Sequence, residues 1–269
     1  MYENYWGLKT LPFQNVPDPE FFFPSPIHEE AISRLMYVIT SNKGAGLLTG
    51  EVGSGKTTVS RTLLKRLNNN RYEVGLITNP ALPLKDFLKE VSYQLGITPS
   101  SDAKIDLIRS INGRLLSNFR ENKETVLIVD EVQVIKDREL WEELRLLLNF
   151  QLNDRFLLTL ILMGQPELKK MIVELKQLDQ RIAVRYYLSS FDMEETKRYT
   201  LFRLKKSNAK KAIFTLEAIK LIHDSSHGIP REINKLCDLA LLIGFLNKNN
   251  LVDSSVVKRV LADRKFYGG

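Results

Sequence analysis

A glycine-rich stretch near residue 50 constrains the fold of this chain more than any other feature. Gly50–Thr57 reads G-x-x-x-x-G-K-T, the phosphate-binding P-loop pattern. The apolar segment 45–49 precedes it, and aliphatic residues at roughly helical spacing follow it. Glycines let the backbone wrap around a phosphate chain, and the first turn of a helix offers free N–H groups. The stretch therefore predicts a strand, a phosphate-binding turn and a helix.

Two side chains of this loop have predicted contacts of their own. Lys56 is expected to reach the β- and γ-phosphates of ATP, and the hydroxyl of Thr57 is expected to hold Mg²⁺. The full set of loop residues predicted to bind ATP is Gly50, Glu51, Val52, Gly53, Ser54, Gly55, Lys56, Thr57 and Thr58.

The composition describes a globular protein with a substantial core, because 43% of the 269 residues are hydrophobic and 26% are charged. The single cysteine excludes an internal disulfide, and the first residues lack the basic and apolar regions of a secretory signal. Apolar runs fall far short of the roughly 20 residues that span a membrane. We therefore expect a cytoplasmic protein. Its net charge of +7 is compatible with a nucleic acid or an anionic membrane surface.

A second chemical motif stands at the end of an aliphatic run. The four aliphatic residues 126–129 are followed directly by Asp130 and Glu131. Such a run predicts a strand that is buried on both faces of a parallel sheet, and ligands bind at the carboxyl ends of these strands. Asp130 is expected to bind the Mg²⁺ shell, and Glu131 to act as the general base toward water. Gln133, two residues further on, is also a candidate to face the site.

Further candidates lie near later strands. Gln165 comes just past an apolar strand predicted at 155–163, where it is placed either to touch the γ-phosphate or to cap the next helix. Arg181 and Arg185 precede a short edge strand predicted at 186–188. These two arginines are either surface charge or a finger that reaches the nucleotide of a neighbouring subunit.

The last third of the chain changes to helices with basic joints. Asp192–Glu195 is a capping box, and Pro230 has a typical first helical position. Arg231 follows at the helix start, where a cation is unfavourable, so a phosphate in front of it would explain its position. The basic residues that suit contacts with DNA phosphates, or that form solvated faces, are Lys205, Lys206, Lys210, Lys211, Lys258, Arg259, Arg264 and Lys265.

The order of the elements predicts the fold class. Strand-like and helix-like segments alternate before residue 190, which predicts an α/β protein with a parallel sheet and helices on both of its faces. The residues before the first predicted helix, 5–26, are rich in aromatics and prolines and predict an extended arm rather than a helix.

Five motifs, in order, resemble those of the AAA+ ATPases of the ExeA/GspA type, and they cover almost the full length. They are Tyr5–Leu8 with Pro12 and Phe13, the P-loop, Asp130–Gln133, Gly164–Leu168 and Gly228–Asn234. The resemblance implies an AAA+ P-loop NTPase fold, with a five-stranded parallel sheet followed by a small all-helical lid. It implies an N-terminal arm and helix that belong to the core over 1–44, a nucleotide-binding core over 45–190 and the helical lid over 191–269.

The resemblance also implies roles for single residues. The P-loop becomes Walker A, and the acidic pair becomes Walker B. Gln165 falls at sensor 1, and Arg231 at sensor 2, in contact with the γ-phosphate. Arg181 is the first candidate for the arginine finger and Arg185 the second. Asn79 matches the residue that holds the catalytic glutamate away from its water until a partner binds.

At the level of function, the resemblance implies an ATP-hydrolysing, Mg²⁺-dependent switch that forms a ring or filament with ATP sites between subunits. Short relatives are similar to the TniB, IstB and MuB regulators, so a DNA transposition role with duplex DNA and a transposase as partners is expected. The alternative is a cytoplasmic ATPase of a secretion or pilus-assembly system. Secretion-type members continue into a membrane span, whereas this sequence ends at Gly269, so no membrane contact is expected from it. A small-molecule kinase would need an acceptor pocket, of which the sequence gives no sign.

Overall fold

The computed structural model describes residues 1–16 and 18–266, without the side chains of Pro19 and residues 264–266. The described residues contain one five-stranded sheet, in the order β2-β3-β4-β1-β5, and every neighbouring pair is parallel. The predicted α/β class with a parallel sheet is therefore confirmed. The strands are β1 (Ala45–Gly50), β2 (Tyr72–Ile77), β3 (Glu124–Val129), β4 (Leu158–Gly164) and β5 (Ile182–Leu188).

Twelve α-helices lie in the described part of the chain, and none of them is long and apolar enough to cross a membrane. They are α1 (Glu3–Trp6), α2 (Pro26–Thr40), α3 (Lys56–Arg66), α4 (Leu84–Gln94), α5 (Lys104–Arg120), α6 (Arg138–Leu147), α7 (Glu167–Glu174), α8 (Lys176–Asp179), α9 (Met193–Lys206), α10 (Leu216–Ser226), α11 (Pro230–Leu246) and α12 (Ser254–Phe266).

The chain divides into two compact units. The sheet unit comprises Pro26–Gly50 and Lys56–Leu188. The helical unit comprises the described residues of Met1–Ser25, Glu51–Gly55 and Ser189–Gly269. The finer division into an arm, a core and a lid at residues 44 and 190 stays a prediction.

The core of the sheet unit follows from its aliphatic strands. Every residue of β1 and β4 is buried, and so are all residues of β3 after its first. Both faces of these three strands are therefore covered, and for β3 this is what the continuous aliphatic run before Asp130 predicts. Each large aliphatic side chain on them contributes about 1.5–3 kcal/mol by its burial. This packing fixes the carboxyl ends of β1, β3 and β4, where the predicted site residues begin.

In the helical unit, two local predictions about helix starts are confirmed. The Asp192 side chain accepts from the backbone N–H of Glu195 at 2.7 Å, and the Glu195 side chain accepts from the Asp192 N–H at 3.2 Å. Pro230 occupies the first turn of α11. Aromatic rings complete the core of this unit, with Phe23 packed against Phe191 and Tyr199.

The expectation of an extended N-terminal arm without helix is wrong. Glu3–Trp6 forms the short helix α1, which ends where Gly7 adopts a φ of 69°. Trp6 is held there because its indole N–H donates to the Leu241 carbonyl at 3.0 Å. A second single turn lies at Pro19–Phe21. Contacts far along the chain thus override the local preference of aromatic and proline residues.

Two strand boundaries also differ from the predictions. β5 begins at Ile182 instead of residue 186, so Arg185 lies inside the strand and not before it. Alternate residues of this edge strand are exposed or half-buried, which hides it from a search for apolar runs. β4 begins at Leu158, because Phe156 instead forms an antiparallel bridge with Gln151.

Candidate functional site

The loop after β1 has the backbone that its glycines predict. β1 ends at Gly50, and α3 begins at Lys56. Gly53 and Gly55 have φ values of 83° and 104°, in the region that favours glycine. At Gly53 space is a second reason, because a Cβ there would lie 2.6 Å from the Cβ of Arg231. The loop leads into the N-terminus of an 11-residue helix, where backbone N–H groups suit a phosphate.

Lys56 is turned back along this loop. Its side chain is 5% exposed, and its ammonium donates to the Gly50 carbonyl at 2.8 Å. A buried ammonium needs oxygen partners, and the oxygens of a phosphate chain are partners of the required charge. The position of Lys56 therefore fits a nucleotide phosphate beside the loop.

Next along the same helix, Thr57 meets the end of β3. Its hydroxyl donates to Oδ2 of Asp130 at 2.8 Å, and the Asp130 N–H donates to the Ile77 carbonyl at 2.8 Å. Asp130 is 2% exposed, and this burial raises the pKa of its carboxyl above the ordinary value. The hydrogen bonds from Thr57 and from the Glu131 N–H act in the opposite direction on that pKa.

The Thr57 and Asp130 pair fits Mg²⁺ by the chemistry of its donors. A hydroxyl and a carboxylate are hard oxygen ligands, and a cation would offset the cost of the buried charge on Asp130. Within residues 1–16 and 18–266 there is no group of three or more His, Cys, Asp or Glu side chains suited to a metal ion. A cation here would therefore have few protein ligands and would keep several waters, as Mg²⁺ does.

Glu131 differs from its neighbour in backbone and in surroundings. Its φ is 55°, a left-handed conformation that is uncommon outside glycine. The N–H of Glu131 donates to Oδ1 of Asp130 at 2.9 Å. Its carboxylate is half-buried and accepts from two side-chain amides, Gln133 at 2.5 Å and Gln165 at 3.4 Å. The two consecutive acids thus face different partners, a hydroxyl for one and two amides for the other.

The amides of Gln133 and Gln165 are the part of the site that the sequence left open. β3 and β4 are adjacent, with Val129 beside Leu162, so the residues after both strands meet. Asn79, by contrast, accepts from the Ala81 N–H at 3.3 Å through its side chain. The role implied for Asn79 stays a prediction, and the carboxylate partners found in the structure are the two glutamines.

The two arginines near β5 lie elsewhere in the sheet unit. Arg181 donates to the Leu148 carbonyl at 3.2 Å and to Oδ1 of Asn149 at 2.7 Å. Arg185 pairs with Asp179 at 2.6 Å. Arg181 immediately precedes Ile182, which pairs with the first residue of β1, whereas the P-loop follows the last. At about 3.3 Å per residue, these two ends of the sheet are roughly 20 Å apart.

Arg231, in the helical unit, lies beside the glycine loop. Its backbone N–H donates to the Gly53 carbonyl at 3.3 Å, and its own carbonyl accepts from the Asn15 side chain at 3.5 Å. The Arg231 side chain is exposed and has no hydrogen-bond or ion-pair partner among the described residues. Its guanidinium is thus available to an anion.

The fold and the site together define the protein as a P-loop NTPase. Proteins of this class share a glycine turn between a strand and a helix, a buried lysine, a hydroxyl–carboxylate pair and a glutamate at the end of a strand.

Comparisons with known proteins agree with this class. A family model described as "AAA domain" matches residues 39–172. General secretion pathway protein A of Aeromonas hydrophila is 40% identical over 248 residues, which is 91% of this chain and 45% of that protein. The chain therefore spans a little under half the length of this relative. It belongs to the AAA+ ATPases of the ExeA/GspA type, as the sequence motifs predict.

Solved structures show the same fold at low sequence identity. ORC2 of Aeropyrum pernix, in ADPNP-ADP complexes, has a TM-score of 0.70 and 16% identity, covering 94% of this chain and 71% of that one. ORC1 of the same organism, in complex with DNA, has a TM-score of 0.68 and 15% identity, covering 91% of this chain and 69% of that one. At these identities the likeness concerns the fold alone.

Proposed function

We propose that this protein binds ATP with Mg²⁺, hydrolyses it and acts as an oligomeric switch controlled by the nucleotide. The observation that supports this most strongly is the junction of α3 with β3. There a P-loop threonine donates to Asp130 at 2.8 Å, while the next residue, Glu131, carries a second carboxylate with different partners. Membership of the AAA+ ATPases supports the same reaction.

Binding is assigned to the loop and the residues at its ends. Residues 50–58 surround the phosphates with backbone N–H groups, and Lys56 neutralises the β- and γ-phosphates. Thr57 and Asp130 hold Mg²⁺. When bound, the nucleotide supplies the phosphoanhydride bond, and the cation stabilises the charge that develops on it.

Hydrolysis is assigned to three further residues. Glu131 orients the attacking water and accepts its proton. Gln165, whose side-chain amide donates to the Glu131 carboxylate at 3.4 Å, is assigned a contact with the same water or with the γ-phosphate. The exposed guanidinium of Arg231 contacts the γ-phosphate, and its backbone bond to Gly53 supports this assignment.

Arg181 is assigned to a second copy of the chain. It lies about 20 Å along the sheet from the start of its own P-loop, which is too far for direct contact with that nucleotide. As the arginine finger it would complete the site of a neighbouring subunit, which supports a homo-oligomer with heterologous contacts, either a ring or a filament. Arg185 is the second candidate, although Asp179 already pairs with it.

Dependence on the cation tests the proposed reaction directly. We expect the purified protein to release phosphate from ATP in the presence of Mg²⁺. Removal of Mg²⁺ by EDTA should reduce the rate to background, because the cation proposed to bind at Thr57 and Asp130 is what would offset the negative charge of the phosphates. Restoring excess Mg²⁺ should restore the rate, which controls for unfolding. Turnover that is indifferent to EDTA would contradict the proposed metal site.

For the biological process, the similar protein's name favours secretion over transposition. The relative is called a general secretion pathway protein, and a part in a secretion or pilus-assembly system is accordingly the process we propose first. Because the proposed activity requires ATP, we propose that this part of the protein lies in the cytoplasm. A transposase as partner stays a prediction from the resemblance.

Duplex DNA is a second candidate partner, and one surface of the helical unit supports it. The Lys9 N–H donates to the Ser207 carbonyl at 2.9 Å, which brings Lys9 beside the end of α9. We call the resulting group the lysine cluster; its members are Lys9, Lys205, Lys206, Lys210 and Lys211, all exposed. Segments 4–16 and 196–216 contain no acidic residue, and no member of the cluster forms an ion pair within the described chain. The other basic residues predicted to suit DNA are Lys258, Arg259, Arg264 and Lys265, and the side chains of Arg264 and Lys265 lie outside the described residues.

A pair of charge variants tests the DNA contact. Lys205→Gln with Lys206→Gln should weaken duplex binding and lower the slope of log affinity against log salt by about 2, because each lost phosphate contact removes about 0.9. Lys169→Gln with Lys170→Gln, an exposed pair on α7, is the matched control and should leave the slope unchanged. Fluorescence anisotropy with labelled duplex at several salt concentrations measures it. Equal slopes for both variants would exclude the cluster as the DNA surface.

A further inference from the structure

The side-chain amide of Gln133 uses both of its ends inside the site. Its Nε2 donates to Oε2 of Glu131 at 2.5 Å, and its Oε1 accepts from the backbone N–H of Gln165 at 3.0 Å. Gln133 lies in a one-turn 3₁₀ helix, Val132–Val134, that directly follows the acidic pair. One side chain therefore connects the carboxylate of Glu131 to the backbone that follows β4.

The two contacts fix which way this amide points. The reverse orientation would set the amide oxygen against a carboxylate and the NH₂ group against an N–H donor, and neither arrangement is a hydrogen bond. The observed orientation is thus the one that the surrounding groups can satisfy. Gln133 cannot rotate freely without losing a charge-assisted bond to Glu131.

The two carboxylate oxygens of Glu131 differ in their hydrogen bonds. Gln133 and Gln165 both donate to Oε2, while Oε1 has no hydrogen-bond partner among the described residues. A carboxylate held by one oxygen presents the other in a defined direction, which is what a general base toward water requires.

We propose that Gln133 is a positioning residue for hydrolysis, which orients Glu131 so that Oε1 receives the proton of the attacking water. This inference rests on the function proposed above. Gln133 itself touches neither water nor phosphate in this role. It acts through Glu131, and it ties the orientation of that carboxylate to the position of the Gln165 backbone.

Gly164 supports the proposal independently, because it makes room for Gln133. A Cβ at Gly164 would lie 2.5 Å from Oε1 of Gln133 and 2.7 Å from a methyl of Leu168. The φ of Gly164 is not in the left-handed region, so backbone conformation does not explain the glycine. The absence of a side chain at the end of β4 is what lets Gln133 reach the Gln165 N–H.

The chain offers a matched control for the test. Gln94 also uses both ends of its amide, donating to Glu90 at 2.9 Å and accepting from the Leu76 N–H at 3.2 Å, on α4 and β2. Gln133→Leu and Gln94→Leu thus remove the same pair of bonds in the same unit. Gln133→Glu keeps the shape of the side chain but sets a second carboxylate against Glu131.

We expect Gln133→Leu and Gln133→Glu to lower kcat by about 10- to 100-fold, the size of effect that misplacement of a reacting group produces. The dissociation constant for ATP should stay within about twofold, because the P-loop is untouched. Gln94→Leu should leave kcat unchanged. Steady-state phosphate release, binding of a fluorescent ATP analogue and thermal melting of each variant measure these quantities.

A double-mutant cycle of Gln133 and Glu131 separates a positioning role of Gln133 from general damage to the fold. If Gln133 acts through Glu131, then Gln133→Leu should lower the residual rate of a Glu131→Gln protein by less than twofold. An unchanged kcat in both Gln133 variants, a raised kcat, or a full additive loss in the Glu131→Gln background would overturn the proposal. A wild-type protein without ATP turnover would instead overturn the proposed function, so the two failures are distinguishable.

Discussion

Replacing Glu131 by glutamine should leave ATP binding intact and reduce hydrolysis by about 100- to 10,000-fold, the usual contribution of a general base. Glutamine has nearly the same shape, so the left-handed backbone and the bond from the Gln133 amide are retained. The amide cannot accept a proton from water at neutral pH. The defect should therefore appear in kcat and not in the affinity for ATP.

Phosphate release in the presence of Mg²⁺ and binding of a fluorescent ATP analogue check this expectation together. Glu174→Gln is the matched control, because Glu174 is an exposed glutamate at the end of α7 in the same unit. It should behave as the unaltered protein. Normal turnover by Glu131→Gln would exclude Glu131 as the base, and a parallel loss of ATP affinity would assign it a part in binding instead.

The features that were predictable from the sequence are those that neighbouring residues encode. The turn between β1 and α3 requires glycine at positions 53 and 55, so its sequence pattern is contained in eight consecutive residues. The strand before Asp130 is buried on both faces, and a continuous run of aliphatic residues in the sequence indicates such burial. The parallel sheet was predicted from the alternation of strand-like and helix-like segments, and the AAA+ class from the resemblance carried by five motifs along the chain.

The contacts that were not predictable depend on which strands become neighbours. Gln133 and Gln165 are 32 residues apart, and they meet because β3 pairs with β4 and because Glu131 takes a left-handed turn. No periodicity in the sequence encodes such a meeting. Gly164 was the one available signal, since a glycine at the end of a buried strand indicates that another group approaches closely. β5 was also predicted too short, because an edge strand lacks a continuous apolar run.

Loss of Lys56 should have the second large effect, on binding rather than on chemistry. Lys56→Ala removes the buried ammonium that donates to the Gly50 carbonyl, and this is the positive charge proposed to contact the β- and γ-phosphates. We expect the affinity for ATP to fall by about 100-fold, since a buried charge-assisted contact is worth roughly 3 kcal/mol. Thermal melting reports the same loss, because ATP at 100 times its dissociation constant stabilises the native state by about 2.7 kcal/mol.

Lys65→Ala is the control for this variant. Lys65 is exposed in the last turn of the same helix, so its removal changes the charge of α3 without changing the loop. ATP should raise the melting temperature of this control as it does for the unaltered protein, and should not raise that of Lys56→Ala. Equal stabilisation of both variants by ATP would remove the P-loop assignment.

The Lys56→Ala protein, which is expected to bind ATP poorly, also tests the proposed arginine finger. It retains Arg181, whereas Arg181→Ala protein retains an intact P-loop, so a mixed oligomer contains interfaces with both functional halves. At equal concentrations about a quarter of the interfaces in a heterologous assembly have this composition. Part of the activity should therefore return on mixing, whereas each variant alone is expected to hydrolyse ATP more slowly than the unaltered protein.

Arg185→Ala, mixed with Lys56→Ala in the same way, decides between the two arginines. Arg185 is already paired with Asp179 within its own chain, so its removal should lower activity less, and mixing should add little. Recovery with Arg185→Ala but not with Arg181→Ala would transfer the finger to Arg185. If sedimentation shows intact mixed oligomers and neither mixture recovers activity, then neither arginine contacts the nucleotide of a neighbouring subunit. Because Arg181 is also roughly 20 Å from its own P-loop, that result would exclude Arg181 from hydrolysis.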